Sequence, residues 1–282
     1  MTVEPSKPKF LLFSASGIGK TWFALSFPSV YYIDTENGAT RKHYMERLKE
    51  SGGQYLGVED GSLDFDVIIE QVKALATEKH AFKTLVIDSI TKVYNQAITN
   101  EGERLGEKNS FGADKKPAIA SMKRLLAALV RLDMNVLLIA HEKAEWGMDG
   151  KGDRVEIGKV EDGWDKLRYE LDLTFHAQKR GGSRVLVVKK TRLLGFPEGT
   201  SLPMEFAEFA TRYGKDVIEK ATAAITLATP EQSAEIVRLV DLLKLDKAVT
   251  DKWLEKANAE TFAELTTDQA SKIITSLKSK IQ

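Results

Sequence analysis

Ser14-Ala15-Ser16-Gly17-Ile18-Gly19-Lys20-Thr21 decides how this chain is read. An apolar run, Phe10-Leu11-Leu12-Phe13, precedes it, and a helical run, Trp22-Phe23-Ala24-Leu25, follows. Strand, glycine-containing loop, Lys-Thr and helix, in that order, is the setting of a phosphate-cradling P-loop. Small residues let successive backbone N–H groups face a phosphate, and the start of the following helix adds a positive dipole end. Ser14, Ala15, Ser16, Gly17, Ile18 and Gly19 are therefore the candidate cradle. Lys20 is placed to reach the β/γ-phosphates of ATP, and the Thr21 hydroxyl to ligate Mg²⁺. Ser14 stands where the pattern usually has its first glycine, so that turn must be made without glycine's freedom at positive φ.

Three more apolar runs end in polar residues. Leu85-Val86-Ile87-Asp88-Ser89 is a Walker B arrangement, in which a carboxylate at the strand's end holds Mg²⁺ through Thr21 or water. The alternative is that Asp88 caps a helix beginning near Ile90. Val30-Tyr31-Tyr32-Ile33-Asp34-Thr35-Glu36 ends in two carboxylates. Phosphoanhydride hydrolysis needs a group that orients and polarises water, and Glu36 is the candidate. Otherwise Asp34 and Glu36 decorate a loop. Val136-Leu137-Leu138-Ile139-Ala140-His141-Glu142 delivers a polar pair to the same edge, making His141 a candidate sensor of the γ-phosphate. His43, His80 and His176 have no such context.

The apolar runs at 10–13, 30–33, 84–87 and 136–140 are separated by amphipathic stretches such as 63–77 and 119–132. That alternation predicts an α/β fold with a parallel sheet covered on both faces. Segments 171–175 and 184–190 read as extra strands joined by a turn at Gly181-Gly182. The expected division is a core over 1–214, a helical connector over 215–228, and a small helical C-terminal domain over 229–282. Thr229-Pro230-Glu231-Gln232 carries a capping box that starts a helix. Helices are expected at 230–243, 250–257 and 267–280.

Composition sets outer limits. The 282 residues include 41 basic and 41 acidic side chains, so no global field attracts a polyanion. Nucleic-acid contact must come from local clusters. The absence of cysteine excludes disulfides, thiolate zinc sites and cysteine nucleophiles, and suits a reducing cytoplasm. The start, Met1-Thr2-Val3-Glu4-Pro5, does not read as a signal peptide, and no apolar run approaches about 18 residues. A cytoplasmic location without membrane contact is the expectation.

The P-loop, Ile33-Asp34-Thr35-Glu36, Val86-Ile87-Asp88-Ser89 and Ile139-Ala140-His141-Glu142 together resemble the RecA-type ATPase core over roughly residues 8–210. The compact form, with a tail starting Ala228-Thr229-Pro230-Glu231-Gln232, is similar to phage RecA-like ATP-binding proteins of the single-strand annealing recombinase type. The resemblance implies a RecA-like P-loop fold with a mainly parallel sheet flanked by helices and a small all-α C-terminal domain. It assigns Glu36 as the catalytic glutamate and puts His141 where the family carries a polar sensor, usually Gln. It also implies a homo-oligomer, filament or ring, with ATP at subunit interfaces, and Lys189, Lys190 and Arg192 reaching a neighbour's nucleotide.

Two aperiodic segments are candidates for single-stranded DNA. Residues 105–118 carry Lys108, Lys115 and Lys116 around Gly106, Phe111 and Gly112. Residues 143–163 are rich in glycine and net acidic, with Trp146, Lys151 and Arg154 as candidate contacts. Trp146 either stacks on a base or packs back onto the domain. Lys179-Arg180-Gly181-Gly182-Ser183-Arg184 adds Arg180 and Arg184, whose other readings are a solvated hairpin and cations reaching a neighbouring subunit's ATP. The leading expectation is a DNA-dependent ATPase that binds single strands and promotes annealing or strand exchange. Its rivals are an ATP-binding switch whose C-terminal domain recruits a single-stranded-DNA-binding protein, a nuclease or another replication protein, and a RecA-type helicase motor.

Overall fold

The structure, a computed structural model, describes residues 6–110 and 112–281. Strand β1 (Lys9–Ser14) leads into helix α1 (Lys20–Ala24), followed by β2 (Val30–Asp34), α2 (Lys42–Glu50), β3 (Gln54–Leu56), α3 (Phe65–Thr77) and β4 (Thr84–Asp88). Then come α4 (Ile90–Leu105), α5 (Lys115–Arg131), β5 (Asn135–Met148), β6 (Arg154–Glu161), α6 (Leu167–Glu170), β7 (Leu173–Arg180), β8 (Ser183–Thr191) and β9 (Ser201–Pro203). Helices α7 (Phe206–Tyr213), α8 (Lys215–Glu219), α9 (Pro230–Leu242), α10 (Lys247–Ala257) and α11 (Thr267–Lys278) complete the chain.

The described residues form two compact units. The first comprises residues up to Ile68, Ala81–Lys123 and Asp133–Thr222, and holds the sheet, ordered β3-β2-β4-β5-β1-β7-β8-β9 with β6 paired to β5. Strands β3, β2, β4, β5, β1 and β7 run parallel, and β8, β9 and β6 add antiparallel pairs. The expected class is therefore right: a mainly parallel α/β sheet flanked by helices, with a helical C-terminal region. The apolar runs explain it. Phe10, Leu11, Leu12, Phe13, Leu85, Val86, Ile87 and Val136 to Ala140 are all fully buried. Each such large side chain contributes about 1.5–3 kcal/mol of burial free energy. Only a strand covered on both faces uses residues of both parities this way. Register then places Asp34 beside Asp88, Asp88 beside Ile139, and Ser14 beside His141. The four polar strand ends meet at one edge for that reason.

The segment read as an aperiodic loop at 143–163 is instead a hairpin. Strand β5 continues eight residues past Ala140 and pairs antiparallel with β6, with a bulge at Glu145/Trp146. Its turn is organised by Asp149, whose Oδ1 accepts from the N–H groups of Lys151 and Asp153 at 2.8 and 2.9 Å. The turn at Gly181-Gly182 between β7 and β8 stands where the sequence puts it.

The second unit comprises Ile69–His80, Arg124–Leu132 and the chain from Ala223 onward. Ile236, Leu265 and Ala270 are fully buried there, packed by Val240, Leu254, Phe262, Ile273 and Ile274. The Ile225 N–H donates to the Ala76 carbonyl at 2.7 Å, and Lys73 pairs with Glu264 at 3.1 Å. Helix α9 starts with the expected capping box. The Thr229 hydroxyl accepts from the Gln232 N–H at 3.1 Å, and the Gln232 carboxamide accepts from the Thr229 N–H at 3.0 Å.

Candidate active site

The P-loop departs from its usual spelling without strain. Ser14 is the last residue of β1, buried, and is not among the residues at positive φ. The turn falls to Gly17 and Gly19, at φ 77° and 103°, where a side chain would be strained. Ser14 takes a different part. Lys20 Nζ donates to the Ser14 carbonyl at 3.0 Å, to Ser14 Oγ at 3.1 Å and to the Ala15 carbonyl at 3.0 Å. The ammonium is thus held across the mouth of its own loop. Burial lowers its pKa, while the charges of Asp88, Glu36 and Glu142 oppose that shift. Helix α1 has only five residues, so little macrodipole accumulates, and the cradle rests on the loop's own N–H groups.

Strand β4 delivers Asp88 to Thr21. The Thr21 hydroxyl donates to Asp88 Oδ2 at 3.1 Å, and the hydroxyl of the fully buried Tyr32 donates to the same oxygen. Burial raises the Asp88 pKa, and the Tyr32 and Thr21 hydrogen bonds pull it back down. The neighbouring carboxylate in turn pushes Tyr32 well above the usual phenol range, after burial itself. A hydroxyl and a carboxylate side by side are hard oxygen donors. They fit Mg²⁺, which takes one or two protein oxygens and completes its shell with phosphate and water. Asp88 does not cap α4. Ser89 does, accepting from the Lys92 N–H.

The two carboxylates of the β2 end do different jobs. Asp34 is a scaffold. Its Oδ1 accepts from the N–H groups of Glu36 and Gly38 at 2.9 and 3.3 Å, and its Oδ2 from the Ala39 N–H at 2.8 Å and the Tyr55 hydroxyl at 3.1 Å. These bonds fix the loop that presents Glu36. The Glu36 side chain, 31% exposed, receives two contacts on one oxygen. Ser89 Oγ donates to Oε1 at 2.6 Å, and His141 Nε2 lies 2.6 Å from the same atom. With the carboxylate ionised, Nε2 carries the proton and Oε2 keeps its lone pairs free. Thr91 holds His141 in place, accepting from its N–H at 3.0 Å and donating to the Asp162 carbonyl at 2.6 Å.

Sequence reading gave Ser89 no part beyond its place after Asp88 and Glu142 none beyond its place in the polar pair with His141, and gave Tyr32 and Thr91 none. Glu142 lines the cleft and meets His176 Nε2 at 3.0 Å, while Gln178 Nε2 lies 3.0 Å from His176 Nδ1. The amide donates to Nδ1, so Nε2 carries the proton and donates to Glu142. Burial lowers the His176 pKa against the opposing pull of Glu142, and the ring stacks on Phe13 at 4.6 Å. The pattern of a polar residue at every second position of β7, one strand beyond β1 from the β5 end, is the available signal.

An open cleft of about 1550 Å³ runs over the P-loop. Lys20, Thr21, Glu36, Asp88 and His141 line it, and so does Arg184. Lys190 and Arg192 do not line it. Their side chains donate to the carbonyls of Leu171 and Tyr169, on one side of β8, while the charge of Lys189 bears on His176. Residues two apart on a strand share a face in this way. The remaining basic residues lie elsewhere. Lys108 ends a 3-10 turn after α4, and Lys115 and Lys116 open α5, all exposed. Phe111 lies outside the described residues. On the hairpin, Trp146 is 52% exposed and its ring is covered by the Arg154 guanidinium at 5.0 Å, so it does not pack back onto the domain. Lys151 sits exposed in the hairpin turn. Arg180 ends β7, its guanidinium 3.4 Å from Ser201 Oγ and from Gln178 Oε1.

A family model described as an AAA domain matches residues 6–194, two thirds of the chain. The chain belongs to the AAA domain family. The matched span contains the whole strand-end constellation from Ser14 to Glu142, the β7–β8 hairpin and Arg192. The AAA domain therefore carries the P-loop, Asp88, Glu36 and His141 as one cluster. No curated protein matches this sequence. Among solved structures, the crystal structure of the RadB recombinase is similar at 22% identity and TM-score 0.43, covering 69% of this chain and 84% of that one. Among the described residues no helix is long and apolar enough to cross a membrane.

Proposed function

We propose that this protein is an ATP-dependent recombinase that binds single-stranded DNA and promotes annealing or strand exchange. The observation that carries its hydrolytic part is the convergence of Ser89 and His141 on one oxygen of Glu36, beside Lys20 and the Thr21–Asp88 pair. Holding Oε1 from two sides aims Oε2, which is what a general base needs. Water attacks the γ-phosphorus and gives its proton to Glu36. The bond from that phosphorus to the β–γ bridging oxygen breaks, and ADP and phosphate leave. Lys20 offsets charge on the β/γ-phosphates, and His141 stands at the γ-phosphate end. Thr21 and Asp88 would hold Mg²⁺, which when bound neutralises phosphate charge.

Trp146 under Arg154 supports the DNA part. An exposed ring with a cation on the same hairpin suits base stacking next to phosphate contact. Lys108, Lys115, Lys116, Lys151 and Arg180 are the further proposed contacts. Lys190 and Arg192, away from their own cleft, are proposed to serve the nucleotide of an adjoining copy in a filament or ring. The proposed division stays at 1–214 for the ATPase core, 215–228 for the connector and 229–282 for a partner-binding helical domain. The test follows annealing of complementary labelled strands by fluorescence. ATP-dependent annealing that is lost in Lys20→Ala supports the proposal. Annealing equal with and without ATP, or none at all, overturns it.

A further inference from the structure

Arg184 sits at the P-loop of its own chain. Its Nε and Cδ lie 3.4 and 3.5 Å from the point where a Cβ on Gly19 would stand. The backbone there is fixed on both sides. The Met204 N–H donates to the Arg184 carbonyl at 2.9 Å, and Val185 pairs with Pro203. Gly182, Ser183, Arg184 and Val185 line the same cleft as Glu36. Among the described residues no hydrogen bond or ion pair engages the guanidinium, although Glu205 lines the same cleft. An arginine left with free donors a few ångström from a phosphate cradle has an obvious use. Its planar fork matches phosphate oxygens bidentately, and it stays charged at any working pH.

We infer that Arg184 is a second phosphate ligand, supplied in cis by β8 across the cleft from Lys20, and not a contact to DNA. Lys20 reaches the phosphates from inside the loop, and Arg184 closes on them from outside, over Gly19. Glycine at 19 serves both ends of this arrangement. It allows φ 103° and leaves the room that the arginine stem uses. Gly181 and Gly182 put the proposed DNA contact Arg180 one tight turn from Arg184.

The inference rests on the nucleotide reading above, and the test separates the two. Equilibrium binding of ATP, ADP and adenosine to the full chain is measured in wild type, Arg184→Ala, Arg184→Lys and Lys20→Ala, with thermal melts as folding controls. Single-stranded DNA affinity is measured against salt without nucleotide. Arg184→Ala is expected to weaken ATP and ADP by about tenfold or more, the usual worth of a charged hydrogen bond. Adenosine affinity, DNA affinity and its salt slope stay unchanged, and Arg184→Lys recovers part of the loss. If Lys20→Ala loses nucleotide and Arg184→Ala does not, the inference fails alone. Lower DNA affinity with a salt slope shallower by about one unit returns Arg184 to the DNA. Absence of nucleotide binding in wild type overturns the reading beneath it.

Discussion

The edge of the parallel sheet and the β5–β6 hairpin share strand β5, yet they follow opposite rules. At the edge, polar side chains hold each other. Asp34 accepts four hydrogen bonds, Asp88 two, and Glu36 two contacts on one oxygen. Further along the hairpin, Trp146 and Met148 of β5 and Lys151 of its turn face solvent, and the Arg154 guanidinium lies over the Trp146 ring at 5.0 Å. Chemistry needs groups fixed before the substrate arrives, and a hydrogen-bonded network supplies that. A flexible polyanion is met better by exposed rings and cations that adjust to it. The first region should therefore answer mutation in turnover, and the second in affinity.

Lys20→Ala breaks the first region most completely. It removes the cation of the cradle, and ATP turnover is expected to vanish while the fold persists. Wild-type turnover in this variant would contradict the P-loop assignment. Glu36→Gln keeps the shape and is expected to slow hydrolysis about 10²–10⁴-fold with nucleotide affinity nearly unchanged. Equal losses in binding and turnover would make Glu36 structural. Lys190→Ala with Arg192→Ala sharpens the question of a third region. Alone it is expected to damage turnover and not nucleotide affinity, and mixing it with the Glu36→Gln protein restores part of the activity. A mixture no better than the sum of its parts, while subunits exchange, argues against catalysis across an interface.

The hairpin calls for smaller effects of another kind. Trp146→Ala with Arg154→Ala is expected to weaken single-stranded DNA by about 1–3 kcal/mol and to flatten the salt dependence by about one unit. Turnover without DNA stays as in wild type. A fall in that basal turnover would tie the hairpin to the chemistry and remove the contrast. The smallest effect is on stability. Burial raises the Asp88 pKa above its ordinary 3.8, so its contribution to folding is complete below that pH and is lost as pH rises through the raised value. Asp88→Asn should then melt above wild type near neutral pH in nucleotide-free protein, with the gap closing in acid. A lower melting temperature at neutral pH would show that the Tyr32 and Thr21 bonds outweigh the burial.

The two regions were unequally legible in the sequence, and for a physical reason. A strand buried on both faces writes itself as a continuous apolar run, and a polar residue ending it stands out, as Asp88, Glu36 and His141 do. The residues that hold them do not stand out. Tyr32 counts as an apolar strand residue until its hydroxyl is found on Asp88, and Thr91 and Ser89 read as helix-start residues. The hairpin left no signal because both faces of β6 are largely wet. Without a buried face, Arg154-Val155-Glu156-Ile157-Gly158 has no reason to show a run, and its glycines and acids read as a loop. Arg184 was assigned by the charge of its neighbours in sequence, whereas its position against Gly19 follows from strand pairing of β8 with β7 and β9.

One measurement tests the central claim, that hydrolysis at the strand ends answers to DNA at the hairpin. ATP turnover is followed with and without single-stranded DNA, in wild type and in the Trp146→Ala, Arg154→Ala protein, with particle size read in the same samples. The account predicts that DNA raises turnover in wild type along with particle size, and that the hairpin variant keeps the basal rate but not the rise. Turnover in wild type that is the same with and without DNA would contradict it.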